Sequence, residues 1–113
     1  RKSPSSVQIF YPKFNKDELI QIIRERLDDL NKKLPLLLVI LFGSYAKGSY
    51  TVASDADLLV VYGGKERKDA YATVKRTLRV PRLEPHVYSH SEYEKMKKVV
   101  NKMTKDGVVL FAT

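Results

Sequence analysis

The chain has no cysteine and only two methionines among its 113 residues. Without thiols it forms no disulfide and no thiolate metal site, which fits a cytoplasmic protein. It also lacks any run of about 18 apolar residues and any apolar stretch at its start, so neither a membrane span nor a signal peptide is visible. Because the first residue is Arg1, that absence speaks only for the residues present. Internal repeats and low-complexity segments are missing too, which leaves one compact domain over 1–113 as the expectation.

What the chain does have is positive charge. Twenty-one basic against 13 acidic residues give a formal net charge of +8, a surface that attracts nucleotides, nucleic acid or an acidic protein. The excess is uneven: residues 65–82 hold seven basic and two acidic side chains, and 95–105 add five lysines. Taken alone, either run reads most simply as a solvated helix face.

Residues 1–14, with Pro4, Pro12 and several Ser, read as an extended entry arm. Asn15 with Glu18 is a close variant of a capping box, and Leu19, Ile22, Ile23, Leu27, Leu30 and Leu34 recur at helical spacing up to Pro35. "LLLVILF" (36–42) and "DLLVVY" (57–62) are short apolar runs of the kind buried on both faces of a sheet. A helix is expected over 65–79 with Ala70, Val74 and Leu78 inward, then a strand in "RLEPHVYS", whose Pro85 argues for an edge position. Ser91 with Glu94 reads as a second capping box opening another helix, and Asp106-Gly107 turns the chain into a last strand, "VVLFA". The alternation predicts an α/β (α+β) domain with a sheet of about four strands and helices packed against it, without fixing the topology.

The chemistry concentrates in residues 40–62, "ILFGSYAKGSYTVASDADLLVVY". Asp55 and Asp57 stand at alternate positions of a strand entrance, so their carboxylates share one side. Like charges that close call for a cation, and hard oxygen donors suit Mg²⁺ or Mn²⁺. A bare Asp-x-Asp has plainer readings: Asp55 closing a turn, or Asp57 accepting backbone hydrogen bonds at the strand start. Gly43 and Ser44 shift the balance. They lie where a buried strand turns into the short helical "SYAK", a place where a phosphate can approach the backbone, with Lys47 and the turn glycine Gly48 following.

Gly43-Ser44, ten intervening residues and Asp55-Ala56-Asp57 resemble the signature of the minimal nucleotidyltransferases of the DNA polymerase beta superfamily. The resemblance extends over residues 16–90 and implies a polymerase-beta-like mixed sheet. It further implies two divalent metals (Mg²⁺ or Mn²⁺) and transfer of a nucleoside monophosphate, AMP from ATP by default, to a hydroxyl. Asp55 and Asp57 become metal ligands and catalytic residues, and Gly43, Ser44 and Lys47 the nucleotide-binding corner. The family's third carboxylate falls on a neighbouring strand. Glu84 is the candidate, with His86 on its face as the alternative; Lys75 and Arg76 are offered by charge alone as contacts of the leaving pyrophosphate or the acceptor. Tyr45, Tyr50, Tyr62 and Tyr71 read more simply as sheet cover than as base-stacking groups, and His90 as exposed.

Proteins of this kind are often paired with a small helical ribonuclease toxin of the HEPN type, and some act as antitoxins that attach AMP to a toxin tyrosine. So short a chain leaves no separate domain to choose an acceptor, which argues for a protein partner, while the charge keeps an RNA acceptor open. Self-association stays open as well. The competing reading is a basic nucleotide- or nucleic-acid-binding module without turnover.

Overall fold

The computed structural model describes residues 15–50 and 54–113; the expected entry arm lies outside the described residues. The elements follow in the order α1 (Lys16–Lys33), β1 (Leu36–Phe42), α2 (Ser44–Lys47), β2 (Ala56–Tyr62), α3 (Ala70–Leu78), β3 (Leu83–Ser89), α4 (His90–Met103) and β4 (Val108–Ala112). The four strands form one mixed sheet in the order β3-β2-β1-β4. β1 runs antiparallel to β2 and β4, and β3 lies parallel to β2. This is the α/β sandwich of sheet and helices that the alternation predicts, with Pro85 on an edge strand where its missing N–H costs no ladder bond.

α1 starts where its sequence says it should. The Asn15 side chain accepts from the Glu18 N–H at 2.8 Å, and Glu18 accepts from the Asn15 N–H at 3.0 Å. Leu19, Ile23, Leu27 and Leu30 are buried along one stripe, and the helix stops at Lys33, before Pro35. That stripe, with Val74 and Leu78 of α3, covers one sheet face built from Val39, Leu41, Leu58, Val60 and Leu83. The other face carries Phe42, Leu59 and Val61 under Val100 of α4. Central β2 is therefore shut in on both sides, and each of its fully buried leucines contributes roughly 1.5–3 kcal/mol over an exposed one.

Two expectations shift. The helix expected over 65–79 occupies only Ala70–Leu78. The segment before it is held as a turn: the Arg67 N–H donates to the Tyr62 hydroxyl at 2.9 Å, and its guanidinium donates to the Lys33 carbonyl at 2.6 Å and to both Asp69 oxygens at 3.0 and 2.9 Å. Asp69, so engaged, makes no side-chain cap to the helix it precedes. The second correction moves the last capping box from Ser91 and Glu94 to Ser89 and Glu92. Ser89 is the final strand residue and already extended, so its hydroxyl reaches the Glu92 N–H at 3.2 Å two residues earlier than expected.

The strand directions bring one end of β1, the start of β2 and the start of β3 together. Phe42 lies opposite Asp57, and Asp57 opposite Glu84. Among the described residues, no helix is long and apolar enough to cross a membrane.

Candidate functional site

Gly43 follows the last residue of β1 with φ 79 and ψ −154, a conformation that side chains disfavour. A Cβ there would run into Oδ2 of Asp57. The Cβ-free side of Gly43 thus receives a carboxylate of the same motif, where the sequence suggested room for a phosphate. Ser44 opens α2 beside it, half-buried, and Lys47 is exposed at the end of that single turn, its backbone N–H bonded to the Gly43 carbonyl at 3.1 Å.

Asp55 stands just before β2, half-exposed, with Oδ1 3.5 Å from Nε of Arg82. Arg82 is itself tied to the strand entrance, because its carbonyl accepts the N–H of Ala56 at 2.9 Å. Asp57 is one step inside the strand, and its Oδ1 lies 3.4 Å from Nε2 of His86. Glu84 is the in-register parallel neighbour of Asp57, so both side chains issue from the same sheet face; Glu84 is exposed. His86, one row further in, is level with Leu59, and its ring lies 5.1 Å from that of Phe42 at 55°.

Asp55, Asp57 and Glu84 are all-oxygen donors lined up at one sheet end, a set whose chemistry fits Mg²⁺ or Mn²⁺. Among the described residues no three Asp, Glu or His groups already converge as a ligand cluster. The guanidinium of Arg82 stands beside Asp55, and the imidazole of His86 beside Asp57.

Other predicted residues have structural occupations. Tyr45 and Tyr50 stack on each other with centroids 4.3 Å apart, and the Tyr50 hydroxyl accepts the Lys16 N–H at 3.1 Å. Burial, then the neighbouring Tyr50, pushes the Tyr45 phenol up, and Arg82 acts on it in the opposite sense. Tyr62 holds Arg67. Lys75 donates to the Leu83 carbonyl at 3.1 Å, joining α3 to the start of β3, and with Tyr71, Ala72 and Arg76 it lines a shallow groove on α3. His90 is exposed and lies 3.7 Å from Glu94. Arg82 was not singled out by the sequence; its placement depends on the parallel β2–β3 pairing, for which no local signal exists.

Comparison with known proteins gives a consistent picture. A crystal structure from Sulfolobus solfataricus assigned to the nucleotidyltransferases superposes with a TM-score of 0.58 at 23% identity, covering 83% of this chain and 80% of that one. A toxin–antitoxin structure with AMP-PNP gives 0.57 at 19% identity, covering 80% and 73%. A Shewanella oneidensis complex of tri-AMPylated HEPN toxin with MNT antitoxin gives 0.54 at 18%, covering 83% and 73%. At such identities the likeness is one of fold. No curated protein sequence matches. The family profile described as nucleotidyltransferase domain matches residues 20–110, and on that match the chain belongs to the nucleotidyltransferase-domain family.

Proposed function

We propose that the protein transfers AMP from ATP to a hydroxyl of a protein partner, a helical protein of the HEPN type, and that residues 1–113 form a single catalytic domain. The observation that carries this reading is the position of Asp57, seated against Gly43 and level with Glu84, which unites the two halves of the sequence motif with a third acid. The solved complexes of related fold support the choice of nucleotide and partner: one holds AMP-PNP and another pairs an MNT antitoxin with a tri-AMPylated HEPN toxin.

Asp55, Asp57 and Glu84 would hold Mg²⁺ or Mn²⁺, which offsets triphosphate charge and lowers the pKa of the attacking hydroxyl. Ser44 Oγ donates to the β or γ phosphate, and Lys47 adds charge at the same corner. The acceptor oxygen bonds to the α phosphorus as the bond to the bridging oxygen breaks. Pyrophosphate leaves, and the hydroxyl proton passes to the Glu84 side of the site, where the acid is exposed. Glu84 is preferred to His86 as the third ligand because it is level with Asp57, whereas His86 stands a row inward against Phe42.

Glu84→Gln separates chemistry from binding. It should leave affinity for a non-hydrolysable ATP analogue within about threefold of the parent, because one charged oxygen is lost while Asp55 and Asp57 remain, yet remove transfer of label from [α-³²P]ATP to a co-purified partner. If the parent protein labels nothing, the binding-module reading replaces this one. If transfer survives Glu84→Gln and fails in His86→Ala, the third ligand is His86.

A further inference from the structure

Arg82 sits at the junction of the two corners of the site, and the function proposed above gives it no task. Its backbone has φ 59, a left-handed conformation that Gly or Asn adopts more readily than Arg. The local backbone therefore does not explain the residue, and its side chain must. The carbonyl is fixed on Ala56, between the two aspartates, which holds the guanidinium near the strand entrance. There Nε lies 3.5 Å from Asp55 Oδ1, with 56% and 52% of the two side chains exposed, a contact too long and too open to serve mainly as a stabilising ion pair. The same charge reaches the Tyr45 phenol on the α2 turn, beside Gly43 and Ser44. Arg82 thus stands at the acid corner, one strand over from Asp57, whose carboxylate is seated against Gly43 at the turn where a triphosphate would lie.

Resting on the nucleotidyltransferase reading, we infer that Arg82 is an exchangeable counter-ion: it neutralises Asp55 in the empty site, yields that carboxylate to an arriving divalent cation, and then binds the nucleotide triphosphate. Two cations cannot share Asp55 without repulsion, so metal entry displaces the guanidinium. Its backbone anchor keeps it within side-chain reach of the incoming anion. A planar fork of five donors that never loses its charge suits phosphate oxygens better than a lysine would.

The inference predicts opposite signs for two affinities. Arg82→Asn, which tolerates the left-handed backbone, should bind Mn²⁺ alone about two- to fivefold more tightly, read by electron paramagnetic resonance of free Mn²⁺, because a weakly held competitor is gone. The same variant should bind Mn²⁺ with AMP-PNP about tenfold more weakly, and Arg82→Lys should fall between it and the parent. In an Asp55→Asn background the gain for bare Mn²⁺ should vanish. Changes of the same sign in both affinities, or none, overturn the inference. If the parent binds Mn²⁺ and loses it in Asp57→Asn while Arg82→Asn changes neither affinity, the nucleotidyltransferase reading stands and the role of Arg82 falls. If the parent binds no Mn²⁺, both fall together.

Discussion

A side chain at position 43 would meet two obstacles at once, the positive φ and the Asp57 carboxylate. Gly43→Val should therefore lose both Mn²⁺ and nucleotide binding, since Asp57 is pushed from its seat. Ser44→Ala removes one donor, about 1 kcal/mol or a fivefold weaker Kd for the nucleotide, and leaves Mn²⁺ untouched. Titration calorimetry with each ligand distinguishes the two, and equal small losses would put the triphosphate away from this turn. At this scale the sequence was informative where chemistry is encoded locally. The places of Gly43 and Ser44 at a strand end and of Asp55 and Asp57 at a strand entrance were readable because the apolar runs beside them mark the strands. Arg82 and the contact of His86 with Phe42 were not, because they arise between strands whose pairing no short stretch announces.

Among the elements, α1 and β2 follow their apolar spacing closely, and the errors fall at helix starts, where a single hydrogen bond decides the boundary. The Arg67–Asp69 pair delays α3 and gives it a pH dependence. The Asp69 carboxyl lies below its usual value, first through the hydrogen bond from Arg67 and then against some burial, with the Arg67 charge adding to the effect. A lowered folded value means that the stabilisation is complete above the unfolded Asp value of about 3.9 and is lost as pH falls through the folded one. Protection of the Ala70 and Thr73 amides, whose N–H groups bond to the Arg67 and Asp69 carbonyls, should therefore fall below about pH 4 once the intrinsic pH dependence of exchange is divided out, and fall less in high salt, because the pair is exposed. In Asp69→Asn that acid step should be absent; its persistence would assign the titration to another group. Arg67→Ala should also lower the Tm, since it frees the Lys33 carbonyl at the end of α1 as well.

For the whole molecule, the class of fold was legible from alternating helix and strand periods, but the strand order was not, because the β1–β4 and β2–β3 pairings join segments far apart in sequence. That order also sets a timetable for synthesis. Every candidate site residue, from Gly43 to His86, precedes Val108–Ala112 in the chain, so β1 waits with one edge unpaired, and Ile40 without Val109 beside it, until the last strand emerges. Gly107 makes the final docking tight, since a Cβ there would stand 2.5 Å from Ile40 Cγ2. A chain cut after Asp106 keeps every candidate ligand yet is expected to aggregate on size-exclusion chromatography, and an added peptide of residues 107–113 to suppress that aggregation. A soluble truncated chain that binds nucleotide would mean that β4 is dispensable. On the ribosome, the interval before β4 docks is when a growing chain is open to mispairing with its neighbours, after every candidate site residue has already been made.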